Sequence, residues 1–480
     1  MLTYELKKQP GLPLYEALYR CIRADILSGR LQPGEKLPSK RALSQHLEVS
    51  KITVEAAYEQ LLSEGFLRSQ EKVGYFVEAV VRTEPVRALP AQPVPPADPS
   101  PETERFPFSV WSRLQREVVL DYGEKLLLPM PNTGIPELRC AIARHLGDFR
   151  GMTVDPEDIL IGAGTDFLYN ILIQLLGREK CYGVEDPGYG KIRNIYKAGG
   201  VRCVHIGMDS RGVLPEALDE VQVLHISPSH HYPTGLVTPR DRRLELLKWA
   251  RDCGGWIIED DYDSEFRFDA RPLSAMYTMD PERVIYMNSF SKSLAPSIRI
   301  SYLILPKSLM ERFRRELGFY SCTVASFEQY TLARFLSRGH FEKHINRTRR
   351  ASRARRNRLL ALIRSHPMGA FLTIQEQDAG LHFLLKVRTE KSDKDLTEAL
   401  SAEGIRMSAL SDFFHGKKED LHTLVVSYAG MKEETMVKAL DVLHRLTTDA
   451  PTPLPPGGRW QPEGLTEEER RDLTVTKAPG

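Results

Sequence analysis

Residues 283–299, RVIYMNSFSKSLAPSIR, leave an apolar strand for a hydroxyl-rich turn carrying Ser289, Lys292 and, seven residues on, Arg299. A lysine at such a place suits a Schiff-base nucleophile, and a following arginine suits a phosphate. The plainer reading of this run alone is a surface loop that holds Ser and Lys. About thirty residues upstream, 255–262, GWIIEDDY, sets Asp260 and Tyr262 at the carboxyl end of a buried strand, where sites form in open α/β sheets. Acid, phenol, lysine and arginine in this order suit pyridoxal 5'-phosphate (PLP). The aspartate keeps the pyridine nitrogen protonated, the phenol hydrogen-bonds the ring oxygen, and the lysine forms the internal aldimine.

Two further stretches complete the set. Residues 161–166, IGAGTD, end a strand and open a helix, so amides at Gly164 and Thr165 would hold a phosphate at the positive helix end. Residues 185–189, EDPGY, would lay Tyr189 over the pyridine ring.

These runs belong to a longer alternation. DILIGAG, KCYGVED, VQVLHISP, GWIIEDD, RVIYMNSFS and SYLILP, each β-rich, are separated by helical stretches, which predicts an α/β body with a mostly parallel sheet. We place this body at residues 106–448, with a small C-terminal α/β subdomain from about 345. Eight prolines fall within residues 85–107, so 81–105 reads as an extended linker. Residues 449–480, rich in Pro, Gly and charge, read as a disordered or loosely docked tail.

Residues 1–80 read differently. Leu14, Leu18, Ile22, Ile26 and Leu27 share one helical stripe that stops at Gly29; Ser39 caps a second short helix; and a third runs from Lys51 to Glu64. FLRSQEKVGYFVEA then reads as a β-hairpin wing, giving a winged helix-turn-helix.

With 66 Lys and Arg against 64 Asp and Glu, the chain carries a formal charge of only +2, so any polyanion surface must be local. Residues 1–80 hold 11 basic against 10 acidic residues. No apolar run reaches the length of a membrane span, and the first residues lack the order of a signal peptide. Six scattered cysteines with no CxxC suggest neither a zinc ribbon nor a disulfide framework. A reduced cytoplasm is the expected compartment, with no membrane partner and no metal.

The run from Asp25 to Val77, DILSGRLQPGEKLPSKRALSQHLEVSKITVEAAYEQLLSEGFLRSQEKVGYFV, closely resembles the GntR-family winged helix. That resemblance implies that Arg41, Ser50, Lys51, Thr53, Lys72 and Gly74 face operator DNA, through phosphate contacts and guanine edges. Glu55 on the same helix would either accept from cytosine or sit on a solvated face. Residues 106–448 resemble the fold-type I aminotransferases, and the fusion resembles the MocR/GabR class of transcriptional regulators. This implies Lys292 as the cofactor lysine, Asp260 on the pyridine nitrogen, Tyr262 on the ring oxygen and Tyr189 stacked. It also places Gly164, Thr165, Ser289 and Arg299 around the phosphate. The class further implies a head-to-tail homodimer with swapped DNA-binding heads.

The chain departs from the enzymes in two places. Tyr232, in the segment 228–235, PSHHYPTG, stands where they carry an asparagine on the ring oxygen. Val425, in 421–430, LHTLVVSYAG, stands where they carry the arginine that grips a substrate carboxylate. Without that bidentate partner an amino acid is poorly oriented for proton abstraction. Lys191 or Arg406 could serve a different effector, and His230 and His231 read as pocket or loop residues. A basic stripe from Lys343 to Arg358 reads as a solvated, salt-bridged helix, with flanking DNA as the other reading.

The expected function is therefore a PLP-dependent, DNA-binding regulator sensing an amine, an amino acid or PLP itself. An active aminotransferase that autoregulates, and a DNA-binding protein with a non-catalytic dimerisation body, remain the alternatives.

Overall fold

The computed structural model describes residues 2–4, 6, 13–71, 73–79, 106–266, 274–375, 380–416, 419–428 and 430–447. The expected linker and tail, and Lys72, lie outside them. The chain divides into two compact units, residues 1–97 and 98–480.

In the first unit, α1 (Leu14–Ser28) buries Leu18, Ile22 and Ile26, and Gly29, at φ 78°, ends it in the left-handed region. Ser39 caps α2 (Lys40–His46), its Oγ accepting from the Ala42 amide at 3.1 Å. Ser50 caps α3 (Lys51–Ser63), accepting from the Thr53 amide at 3.1 Å. Each such cap stabilises its helix by about 1 kcal/mol. β1 (Leu67–Gln70) and β2 (Gly74–Val77) pair antiparallel from Leu67 opposite Val77 to Gln70 opposite Gly74. Leu18, Ile22, Leu43, Val54, Tyr58, Leu61, Leu67 and Val77 form one core that joins the three helices to the hairpin.

The second unit opens with α4 (Phe108–Tyr122) and α5 (Pro136–Arg150). An eight-stranded sheet follows. In chain order its strands are β3 (Ile159–Gly162), β4 (Cys181–Asp186), β5 (Arg202–Asp209), β6 (Gly212–Val213), β7 (Val223–Ile226), β8 (Trp256–Asp260), β9 (Val284–Ser289) and β10 (Ser301–Ile304). Their spatial order is β3-β10-β9-β8-β7-β4-β5-β6. β9, β8, β7, β4 and β5 run parallel, whereas β10 and β6 are antiparallel to their neighbours. Fully buried strands such as β3 and β9 are what a sheet covered on both faces requires. The crossovers are α6 (Thr165–Leu176), α7 (Gly190–Ala198), α8 (Arg240–Asp252) and α9 (Met276–Met279), and α10 (Phe290–Ser293) lies in the turn from β9 to its antiparallel neighbour β10. Two apolar cores result, one around Ile161, Leu224, Ile257 and Tyr286, the other around Leu168, Leu172, Ile258 and Met287.

α11 (Lys307–Glu316), α12 (Ser326–Ser337) and the long α13 (His340–Ser365) lead to a smaller layer. There β11 (Leu372–Gln375), β12 (His382–Val387), β13 (Ser408–Ala409) and β14 (Thr423–Ser427) form an antiparallel sheet in the order β11-β12-β14-β13. It packs with α14 (Asp393–Ala402), α15 (Glu433–Thr447) and the end of α13 around Leu359, Phe383, Leu424 and Leu440. No described helix is long and apolar enough to cross a membrane.

Candidate functional site

β10 brings two distant strand ends together. Ser301 is paired with Gly162 at the end of β3 on one side and with Ser289 at the end of β9 on the other. Its hydroxyl donates to Ser289 Oγ at 2.7 Å. The β3 end turns at Gly164, φ 85° and ψ 163°, into α6, and a Cβ there would overlap the Arg299 guanidinium. Arg299 itself takes φ 49°, a left-handed backbone that a non-glycine residue adopts at some cost. Gly164, Thr165, Ser289 and Arg299 therefore converge, with the unsatisfied amides of the α6 N-terminus among them. Arg299 Nη2 and Lys191 Nζ lie 3.3 and 2.7 Å from Asp166.

Asp260 ends β8 with its carboxylate buried. Its Oδ2 accepts from the Tyr169 hydroxyl at 3.0 Å and lies 3.6 Å from His225 Nε2, while Oδ1 has no hydrogen-bond partner among the described residues. Tyr169 sits one helical turn past Thr165 and also engages that side chain, so the phosphate end and Asp260 are tied through α6. Beneath them Asp261 forms a buried ion pair with Arg150 at 2.9 Å and accepts from the Tyr286 hydroxyl at 2.6 Å. Tyr262 has its hydroxyl 3.4 Å from His230 Nδ1, which pairs with Asp263 at 2.7 Å. Burial, with Asp263 and Asp260 beside it, holds the Tyr262 phenol well above its ordinary range.

Lys292, in α10, is exposed. Burial, and then the His230 ring, push the His382 imidazole down to about 3, and the Lys292 charge adds to this. The His382 and Tyr232 rings are 5.1 Å apart, and Tyr232 stands edge-on to Tyr189 at 5.9 Å. Tyr189 is 52% exposed and free to receive a flat ring. Next to it Glu185 accepts from the Ser227 amide at 3.0 Å and lies 3.5 Å from His231 Nε2. Burial raises Glu185 to about 8 and lowers His231 to about 3, so the two meet as neutral groups at neutral pH.

The geometry thus provides a vacant buried carboxylate oxygen at one end, anion donors at the other, an exposed phenol and a lysine. That set fits a planar heteroaromatic cation bearing a phosphate, which is the chemistry of PLP. Val425 is 6% exposed and packs with Leu384, Leu410 and Tyr232, so this wall is apolar. Tyr169, His225, Asp166 and His382 were not singled out from the sequence. Only Tyr169 left a trace there, four residues after Thr165, on the same helix face.

On the first unit, Arg41 and Lys51 are exposed. Ser50 and Thr53 hydrogen-bond each other through their hydroxyls at 2.8 Å at the start of α3. Glu55 pairs with Lys40 at 2.7 Å, which gives it a partner within the unit. Gly74, at φ 137°, leaves the Lys36 stem 3.1 Å from where a Cβ would stand. Of the basic stripe on α13, Arg356 is buried and Arg358 pairs with Glu433 at 2.6 Å.

Residues 14–77 match the bacterial regulatory proteins of the gntR family, and residues 102–443 match aminotransferase class I and II. The chain is 35% identical to the uncharacterised HTH-type transcriptional regulator YdeL of Bacillus subtilis, over 92% of this chain and 98% of that protein. It is 33% identical to the probable rhizopine catabolism regulatory protein MocR of Rhizobium meliloti, over 91% and 94%. With the pyridoxine biosynthesis regulator PdxR of Corynebacterium glutamicum it shares 30% identity, over 86% and 92%. Among solved structures, the multiple substrate aminotransferase of Thermococcus profundus superposes with a TM-score of 0.64 at 22% identity, over 72% of this chain and 89% of that one.

Proposed function

The chain belongs to the MocR-type HTH transcriptional regulators, a gntR-family head fused to an aminotransferase class I and II body, and on that premise we propose that it binds operator DNA and reads a small molecule through PLP at Lys292. The observation that carries this reading is the convergence of Gly164, Ser289 and Arg299 about Ser301, with Asp260 Oδ1 left vacant. When bound, PLP supplies an aldehyde that condenses with amines and an electron-withdrawing ring. Asp260 would hold the ring nitrogen's proton, Tyr262 would donate to the ring oxygen, and Tyr189 would cover the ring. Gly164, Thr165, Ser289 and Arg299 would bind the phosphate, and the Lys292 amine would bond to the aldehyde.

The effector is an amine, an amino acid or PLP itself. The apolar wall around Val425 supports sensing over turnover, since the described residues packed there, Leu384, Leu410 and Tyr232, offer no guanidinium to orient a carboxylate. Lys191 is already paired with Asp166, and Arg406 is exposed. On the head, Arg41, Ser50, Lys51, Thr53 and Gly74 would meet DNA.

The working unit is a homodimer in which each head reaches the partner's body. Phe108, Leu120 and Leu127, at 70%, 82% and 75% exposure around α4, supply an apolar face for that pairing. An effector would act by binding one placement of the two heads better than another.

The visible absorption of the protein with added PLP, beside Lys292→Ala, tests the reading. A band present only in wild type, shifted by a particular amine, supports it; no band in either leaves a DNA-binding dimer with a structural body.

A further inference from the structure

Between α5, α13 and the turn that follows β8 lies a cavity of about 290 Å3, at the small end of ligand pockets. Its buried wall includes Glu265, 4% exposed, whose Oε2 has no hydrogen-bond partner among the described residues. A carboxyl oxygen withdrawn from water with no donor among the described residues is costly, and a bound group that pairs with it would relieve that cost. Phe149, Phe341 and Ile345 make the sides apolar, and the exposed acids Asp148 and Glu342 stand at the rim. Among the described residues, the cavity sets three carboxyls against one guanidinium, that of Arg349. His145, whose imidazole burial pushes down to about 4, adds no charge at neutral pH. A metal ion does not suit the place, because no group of three His, Cys, Asp or Glu among the described residues is arranged to ligate one.

We propose that this cavity is a second small-molecule site, taking a short aliphatic diamine with one ammonium on Glu265 and the other between Asp148 and Glu342. The hydrocarbon between the two charges would lie along Phe149, Phe341 and Ile345. Burial, and then the charge of Asp261, raise Glu265 to about 8, so the empty cavity holds a neutral acid and an arriving ammonium finds a group able to give up its proton. Glu265 lies on the same short segment as Asp260 and Tyr262 and feels the charges of Asp261 and Arg150. A ligand here would therefore act on the floor of the proposed cofactor site without entering it.

The test is calorimetric titration of the full-length protein with tetramethylputrescine. This bis-tertiary diamine is doubly charged at neutral pH and cannot condense with an aldehyde, which keeps the measurement independent of PLP and of the proposed role of Lys292. Wild type and Lys292→Ala should bind it alike, Glu265→Gln should bind about tenfold or more weakly, and Asp148→Asn, a change on the exposed rim, several-fold more weakly. No heat with wild type, or undiminished binding by Glu265→Gln, overturns the site. Loss confined to Lys292→Ala also overturns it, by moving the amine to that lysine.

Discussion

The Arg299 guanidinium occupies the space that a side chain on Gly164 would need. The two residues come from opposite ends of the crossover connections, and each holds an unusual backbone, φ 85° at Gly164 and φ 49° at Arg299. Gly164 with ψ 163° lies in a region that only glycine enters readily, so an alanine there would cost about 1–3 kcal/mol in strain besides displacing the arginine. Gly164→Ala should leave the protein folded and lower its affinity for PLP by about tenfold or more. Absorption titration of folded variant against wild type checks this, and an unchanged affinity would remove Gly164 and Arg299 from the phosphate site.

The buried pair Arg150–Asp261 should behave as a structural strut. Its two side chains are 1% and 0% exposed, and removing Arg150 takes this guanidinium away from a buried Asp261 carboxylate. Arg150→Met should destabilise the body by about 3–5 kcal/mol in urea denaturation, and adding Asp261→Asn should restore much of that loss.

On the head, two neighbouring residues should fail in different ways. Ser50→Ala removes the α3 cap and should destabilise the head by about 1 kcal/mol. Lys51→Ala should leave stability unchanged, weaken operator binding and reduce its salt slope by about one unit. Thermal melts beside binding isotherms at several salt concentrations separate the two effects.

The stability of the body should depend on pH in opposite senses on its two flanks. Glu185 and Glu265 rise from 4.5 to about 8 in the fold, so they are protonated when folded and ionised when unfolded between those values. Their contribution is complete below 4.5 and lost as the pH climbs through about 8. His231 and His382 fall from 6.5 to about 3, so their contribution is complete above 6.5 and lost as the pH drops towards 3. Urea midpoints measured across this range should decline on the alkaline side. Glu185→Gln should flatten that decline by about 1.4 kcal/mol per pH unit, the value of one proton.

Much of this was legible because local chemistry and global fold agree. Ser39 and Ser50 are cap residues by type and cap helices in fact. Six apolar runs became six strands because a sheet buried on both faces leaves little freedom to polar residues. β5, with Arg202, His205 and Asp209 along it, lies near the polar edge and carries no such pattern. Long-range pairings were the part hidden from sequence. Arg150 ends α5, yet it meets Asp261 in the interior; Tyr169 lies on α6, yet it donates to Asp260 at the end of β8. Such partners are set by how crossovers stack, which no local window contains. Glu55, whose type alone fits either a base contact or a solvated face, pairs with Lys40 across the two helices.

The position of Ser301 between Gly162 and Ser289 has a consequence in time. The head is built from neighbouring helices and a tight hairpin, contacts of short range that form quickly. The proposed phosphate cradle exists only once β10 has been inserted between β3 and β9, which requires a late strand to find one that left the ribosome far earlier. A newly made chain therefore has a completed head before its proposed sensor exists, and for that interval the head is formed while the proposed site for a small molecule is not.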